Sequence, residues 1–362
     1  VQGCDYTTSP PFTACGSDGG GNLTDDPLFV DQTPFAGGAQ LGGNNRLTIG
    51  SPAVDVGDNS LVKAGVTIDL DNRPRIVDGD GNSTATVDMG AYEVPFACPT
   101  TNGTTLRVDK DATGANTGLT WTDALPTLQD ALLLYDACPE KVDEIWVAEG
   151  IYYPDRGGYF GDPSTTPLAD RRDRSFQLTN DGTGGVKIYG GFAGTENSTG
   201  ERGDPASNVT VLSGDIQQND VTNAAGILLD PGGIVGTNSN HVLLENDPTC
   251  APSGPTDCPI IDRFSVTGGD AWTGGVDGST AAEQGGGMWS LNGVTTLSEV
   301  RFQGNQAIRG GGLHLGNISE NLLIRVEFEN NWARDGGGMA VVDESSANLD
   351  TVTFRGNKAM AK

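Results

Sequence analysis

The last third of the chain repeats every 26 residues, and this repeat restricts the possible folds more than any other feature. Phe302, Phe328 and Phe354 are separated by one such step each. Residue identities that recur at one fixed interval indicate a structural unit that is copied and stacked. Four more columns keep the same step, namely Leu297/Leu323/Leu349, Val300/Val326/Val352, Asn305/Asn331/Asn357 and Ala307/Ala333/Ala359.

Apolar and polar residues alternate inside each copy, as in Val300-Arg301-Phe302. This alternation is the period of a β-strand and not of a helix. Short strands separated by glycine and asparagine, repeating every ~20–30 residues, predict the coils of a parallel β-helix. Identical residues one coil apart would stack about 4.8 Å from each other. We therefore expect an inward ladder of phenylalanines and a corner ladder of asparagines whose amides bond along the stack.

Glycine triplets at 285–287, 310–312 and 336–338 nearly follow the same step. Because glycine tolerates positive φ, we expect a sharp turn at each triplet. An earlier and less regular copy lies in 260–272, where Ile261, Phe264 and Val266 hold corresponding positions.

The outward side of these strands is polar and is expected to be a solvated face. Stacked aromatic residues also bind sugars, but inward phenylalanines that alternate with polar residues are typical of a core. The outward set comprises Arg301, Gln303, Arg325, Glu327, Thr353 and Arg355.

Composition excludes several classes of protein. Glycine accounts for 54 of 362 residues without a triplet period, which excludes collagen and indicates many tight turns. The net charge of −27 would repel nucleic acid and anionic membrane surfaces, so neither is an expected partner. No run approaches the ~18 apolar residues of a membrane-spanning helix.

The six cysteines form three pairs that are close in sequence, and no CxxC or Cys-His cluster suggests zinc. Six cysteines allow 15 connectivities. The simplest account is three local disulfides in an oxidising compartment, which predicts an extracellular or cell-surface location. The expected pairs are Cys4–Cys15, Cys98–Cys138 and Cys250–Cys258.

The F-x-x-N column and the glycine triplets resemble the repeats of bacterial surface β-helix proteins, including chlamydial polymorphic membrane proteins. Other stretches resemble secreted right-handed β-helix proteins of the choice-of-anchor Q type. Their opening is similar to "LRVDKDATGANTGLTWTDALPTLQDALLLYDACPEKVDEIWVAEGIYYP" (106–154), and their next coils are similar to "KIYGGFAGTE" and "NVTVLSGDI". Their closing segment is similar to "DDPLFVD", "GSPAVDVGD" and "DLDNRPRIVDGDGNSTATVDMGAYE". The resemblance implies a right-handed parallel β-helix. In this chain, however, the stretches that resemble the closing segment come before the stretch that resembles the opening.

This order predicts the end of one β-helix followed by the start of another. Residues 1–97 would be the last coils and closing segment, and 98–105 a linker. Residues 106–160 would be an N-terminal cap, and 161–362 the coils, with clear repeats from 285. The cap should contain an amphipathic helix over 126–137, with Leu125, Leu128, Leu132 and Tyr135 on one face. A chain of this organisation would meet copies of itself head to tail, in a tandem array or a polymer.

Acidic residues crowd into 69–88, and Asp78-x-Asp80-x-Asn82 has the alternate spacing that turns oxygens toward one cation. The stretch is not an EF-hand, because Ser83 and Met89 stand where that loop needs Gly and Glu. A solvated acidic turn is the alternative. The candidate calcium ligands are Asp69, Asp71, Asp78, Asp80, Asn82 and Asp88.

No catalytic residues are expected. Polysaccharide hydrolases need two or three carboxylates around the scissile bond, and lyases need a Lys or Arg base beside calcium. Asp215 and Asp220 are isolated acids in an acidic chain, and His241 has no catalytic pattern beside it. His314 aligns with Trp289 and Ala340, which predicts a variable surface position.

The sequence therefore favours a non-enzymatic, extracellular structural protein, such as a repeat segment of a surface adhesin, sheath or filament. The alternative is a β-helix that binds or cleaves carbohydrate, including surface glycans. Calcium is the one cofactor that the sequence indicates. Six sequons could carry glycans, at Asn22, Asn82, Asn102, Asn197, Asn208 and Asn317.

Overall fold

The computed structural model describes most of the chain. The described residues are 23, 25–31, 44–71, 73–82, 84–138, 140–157, 171–179, 184–246, 250, 258–272 and 280–359.

The chain after residue 103 forms a parallel β-helix of four sheets, which confirms the predicted fold class. Successive strands of one coil belong to different sheets, here named A to D, and each strand pairs with the corresponding strand of the next coil. Sheet A contains Thr104–Val108, Val142–Ala148, Lys187–Phe192, Ile260–Asp262, Thr296–Ser298, Glu320–Ile324 and Ser346–Asp350. Sheet B contains Gly150–Tyr152, Thr210–Ser213, Ser265–Thr267, Arg301–Gln303, Glu327–Glu329 and Thr353–Arg355.

The other two sheets complete the coils. Sheet C contains Asp270–Ala271, Gln306–Arg309, Trp332–Asp335 and Lys358–Ala359. Sheet D contains Phe176–Leu178, Leu243–Glu245, Met288–Leu291, Leu313–Gly316 and Met339–Val341.

The predicted phenylalanine ladder lies in the core. Phe302 pairs in register with Phe328, and Phe328 with Phe354. The ring centroids are 5.2 Å and 4.9 Å apart, and the rings are nearly parallel. The less regular copy also stacks as predicted, because Ile261 pairs with Leu297 and Val266 with Phe302.

The asparagine ladder is also confirmed. Asn331 Oδ1 accepts hydrogen bonds from both the backbone N and Nδ2 of Asn305, each at 3.0 Å. Asn331 Nδ2 donates to the Phe302 carbonyl at 2.8 Å, and Asn357 repeats the arrangement one coil on. Each amide therefore bonds to its neighbouring asparagine and to turn backbone, as a buried polar group must.

The glycine triplets satisfy two constraints. The first residue of each triplet has positive φ, as predicted, at 63° in Gly285, 64° in Gly310 and 68° in Gly336. The other two residues allow close approach between coils. A Cβ on Gly312 would lie 2.5 Å from the Gly338 carbonyl oxygen and 2.8 Å from a ring carbon of Phe328.

A charged column follows the corner between sheets A and B. Glu299 accepts hydrogen bonds from Arg263 at 2.7 Å and from Arg325 at 2.8 Å. All three residues have positive φ and lie one above another in successive coils. Burial opposes ionisation of Glu299, but the hydrogen bonds from Arg325 and Arg263 outweigh it and lower the pKa of that carboxyl.

The helix spans Leu128–Ala137, and Thr127 caps its N-terminus by accepting a hydrogen bond from the Asp130 backbone N. The predicted start at residue 126 was two residues early, because Pro126 precedes the cap. The apolar residues predicted on one face are buried, but the opposite side of the helix is covered as well, because every residue from Leu128 to Tyr135 is buried. Residues before Thr104 cover the outer side of the helix: Arg73 forms an ion pair with Asp130 at 3.4 Å, and Phe96 belongs to the same apolar core.

The described residues before Cys98 form a smaller unit, here called the closing segment. Phe29–Asp31 and Asn44–Leu47 pair antiparallel, and the bridges Ile68/Pro74 and Val77/Thr86 are antiparallel as well. Its own small core consists of Leu47, Ala53, Val54 and Val94. No helix among the described residues is long and apolar enough to cross a membrane.

The asparagine ladder generates a stability prediction. Asn331→Ala should lower the free energy of unfolding by about 2–4 kcal/mol, because the Phe302 carbonyl and Asn305 amide would remain buried without their partner. Asn348→Ala, at an exposed position of sheet A, is the matched control and should change it little. Urea unfolding midpoints measure both. Equal midpoints for the two variants would show that the ladder does not stabilise the fold.

Candidate functional site

The six predicted calcium ligands do not form one cluster. Asp69 is buried and accepts hydrogen bonds from the backbone N of Asp71, Arg73 and Glu93. Asp71 is buried in a two-pronged ion pair with Arg46, whose Nε lies 2.6 Å from its Oδ2. These two carboxylates hold turns together through protein groups.

Asp88 connects two other turns of the closing segment. It is 2 % exposed, its Oδ1 accepts a hydrogen bond from the Asp55 backbone N at 2.8 Å, and its Oδ2 accepts one from Val94 at 2.7 Å. Glu93, beside it, accepts a hydrogen bond from the Asp88 backbone N and forms an ion pair with Arg75.

The structure brings Asp78 and Asp80 together with Asp55, which the sequence reasoning missed. One carboxylate oxygen from each of the three lies within 4.8 Å of the others, and such a group could hold a metal ion. Asp80 is exposed, and both of its carboxylate oxygens accept hydrogen bonds from Asn82. Asn82 is thus placed as a donor to Asp80. Local spacing could not have found Asp55, although it lies in "GSPAVDVGD", one of the stretches that carry the resemblance to secreted β-helix proteins.

The surroundings of Asp55 oppose the ionisation of its carboxyl group. Burial, together with the negative charges of Asp88 and Asp80, raises its pKa to about 6. Carboxylate oxygens are the ligands that Ca²⁺ and Mg²⁺ prefer, so the residues present suit a hard divalent cation.

A second acidic region lies beside the long connection between sheets B and D. Asp215 is 6 % exposed, and its Oδ2 accepts a hydrogen bond from the Asp220 backbone N at 2.8 Å. Asp220 accepts hydrogen bonds from Val235 and from Asn238. Burial and the charges of Asp215 and Asp270 raise the pKa of Asp220 to about 6. The two acids are therefore neighbours, while the hydrogen bonds that they accept hold the connection in place.

The histidines are core groups. His314 pairs with Trp289 and Ala340, as aligned, but it is 1 % exposed, so the predicted surface position was wrong. Sheet D is buried on both faces here, since Leu313 and Leu315 are fully buried too. His241 is buried, with Nδ1 3.0 Å from the Gly285 carbonyl oxygen. Burial lowers the pKa of both rings to about 4.

Two of the three predicted disulfides are present, Cys98–Cys138 and Cys250–Cys258, each with Cα atoms 5.6 Å apart. The first ties the closing segment to the end of the helix. Cys4 and Cys15 lie outside the described residues. Disulfides of this kind indicate a non-cytoplasmic location.

The sequons differ in accessibility. Asn208 is partly buried and its Thr210 hydroxyl is enclosed, while Asn22 lies outside the described residues. The exposed candidates are Asn82, Asn102, Asn197 and Asn317.

Comparison with known proteins adds no relative: no family model matches the chain, and no curated protein or solved structure matches it. The resemblances in sequence therefore remain expectations. The evidence for the parallel β-helix is the pairing of its strands.

The buried histidines predict the titration behaviour of the protein. With a folded pKa of about 4 against an ordinary 6.5, each ring is neutral in the folded state at pH values where the unfolded chain binds a proton. Their contribution to stability is complete above pH 6.5 and is lost as pH falls toward about 4.

NMR measurement of the two imidazole Cε1–H shifts against pH checks this expectation. Folded protein should show no midpoint above about 5, while protein unfolded in urea should show midpoints near 6.5. His314→Gln assigns the signals. A folded midpoint near the unfolded value would contradict the burial of that ring.

Proposed function

We propose that this chain is a non-enzymatic, extracellular structural protein, a repeat segment of a surface adhesin, sheath or head-to-tail filament. The observation that carries the proposal is the continuity of bonding along the stack. From residue 260 to 359, all four sheets pair coil to coil, and the phenylalanine and asparagine ladders run beside them. Every coil is thereby joined to the next, which suits a rod that carries load or acts as a spacer.

The outward charges support the same role, because they are paired along the stack. Arg301 lies 2.8 Å from Glu327 of the next coil, and Glu299 joins Arg263 and Arg325. Exposed ion pairs of this kind each contribute little to stability, on the order of 0.2–1 kcal/mol. Their charged groups are nevertheless paired with each other, whereas a ligand-binding cleft would direct such groups at its ligand.

A polysaccharide-cleaving β-helix is the second candidate, and Asp220 is the observation that favours it. A carboxyl with pKa about 6 beside a second buried carboxyl resembles the acid and base of a glycosidase. The hydrogen bonds from Val235 and Asn238 to Asp220 favour a structural role instead.

An activity assay separates the two candidates. Folded protein incubated with acidic and neutral polysaccharides should release neither reducing ends nor unsaturated products. Asp220→Asn and the surface variant Asp143→Asn should be indistinguishable from the unmodified chain. Release that Asp220→Asn abolishes and Asp143→Asn retains would overturn the structural proposal.

The proposed head-to-tail partner is a further β-helix coil on the surface formed by Leu349 and Phe354. These side chains are 51 % and 47 % exposed, whereas their ladder neighbours Leu323 and Phe328 are fully buried. Strands 346–350, 353–355 and 358–359 also present an edge that a coil of the same register would pair with.

Electron microscopy and sedimentation velocity test this partner. Native material should form filaments, and Phe354→Asp should weaken the self-association of the isolated protein at least tenfold, because it puts a charge in the apolar contact. Leu322→Asp, on the outer side of sheet A and 37 % exposed, is the matched control and should associate normally. Dispersed monomers, or equal association of both variants, would refute the contact.

A further inference from the structure

Two turns of the closing segment meet at the carboxylates of Asp55, Asp78 and Asp80. Asp55 adopts positive φ, at 55°, directly after the small apolar core residues Ala53 and Val54. Its Oδ2 accepts a hydrogen bond from the Asp80 backbone N at 2.8 Å, which fixes the two turns against each other. Three negative groups thus lie within 4.8 Å of one another.

One oxygen of Asp55 distinguishes this cluster from an ordinary acidic surface. Asp55 Oδ1 exposes less than 1 Å² and has no hydrogen-bond partner among the described residues. An enclosed carboxylate oxygen without a partner is costly, and native structures normally satisfy such an atom with a donor, a water or an ion. The adjacent Asp88 offers no relief, because an ionised carboxylate has no proton to donate to another carboxylate oxygen.

We propose that Asp55, Asp78 and Asp80 bind one Ca²⁺ ion, which joins the turn at 51–57 to the turn at 78–82. All three ligands are carboxylates, and none is the nitrogen or sulfur ligand that zinc favours. Ca²⁺ accepts an irregular set of 6–8 oxygens and completes it with carbonyl groups and water, whereas Mg²⁺ requires a nearly ideal octahedron. Asp55 and Asp78 are partly enclosed and Asp80 is exposed, so the three carboxylates form an asymmetric set, which suits Ca²⁺.

The ion would act on the closing segment and not on the β-helix. Ca²⁺ would offset the mutual repulsion of three carboxylates within 4.8 Å of one another and would give the enclosed oxygen of Asp55 a partner. The turns so joined carry Val54, which shares the small apolar core with Val94, and Gly79, where a Cβ would lie 2.4 Å from the Val94 carbonyl oxygen. This inference does not depend on the proposed structural function, since a polysaccharide-cleaving protein could hold the same ion.

Calorimetric titration of the whole chain with CaCl₂, after removal of metal with EDTA, is the test. We expect one ion per chain, with a dissociation constant on the order of 10⁻⁴–10⁻³ M, as in extracellular calcium modules. Asp55→Asn, which keeps the shape of the side chain, should weaken binding at least tenfold, and Asp78→Asn should do the same. Asp143→Asn, an exposed acid of the β-helix, is the matched control and should bind as the unmodified chain does.

Thermal unfolding in EDTA and in CaCl₂ gives a second readout that a merely structural Asp55 would not produce. In EDTA, Asp55→Asn should be at least as stable as the unmodified chain, because it removes a repelled charge. In CaCl₂ the unmodified chain should be more stable than Asp55→Asn. Hydrogen exchange in the closing segment should slow on addition of CaCl₂ only in the unmodified chain. Absence of binding at millimolar CaCl₂, equal binding by Asp55→Asn, or equally tight binding of MgCl₂ would overturn the proposal.

Discussion

No strand of this β-helix can satisfy its backbone within its own coil. The strands of one coil lie in different sheets, so each N–H and C=O that points along the axis needs the corresponding strand one coil away. This dependence fixes the register of every column, as when Leu323 lies between Leu297 and Leu349. The ladders follow from it, because residues at the same position of the repeat lie over one another in adjacent coils. Phenylalanine stacks there through its ring, and asparagine bonds to its counterpart through its amide.

The sequence revealed those parts of the fold in which distance along the chain converts directly into position. Phe302, Phe328 and Phe354 were predictable because one step of 26 residues is one coil. The helix was predictable for its leucines, but its burial on all sides was not, since Phe96 and Arg73 approach it from a distant segment. His314 was placed on the surface because its column varies. A column shows which residues stack, and it does not show whether another part of the chain covers them.

The acidic composition has a structural use as well as a solvating one. Asp69 gathers three backbone N–H groups, and Asp88 holds Asp55 and Val94 together across the closing segment. Sequence spacing predicted that these carboxylates bind an ion. A crowded run of acids does not show which backbone N–H groups will donate hydrogen bonds to each of them, so their structural role could not be predicted. Asp55 was missed for the converse reason: its neighbours in space, Asp78 and Asp80, are remote in the chain.

The charged column at the corner bears on how a repetitive chain avoids mispairing with itself. A β-helix whose coils are nearly interchangeable could skip one of them and still stack phenylalanine on an apolar residue and asparagine on turn backbone. Skipping the coil that contains Glu299 would bring Arg325 beside Arg263, two like charges at an already crowded positive-φ corner. The Arg-Glu-Arg order at this corner therefore opposes a pairing that skips the coil of Glu299, while the core residues remain free to repeat.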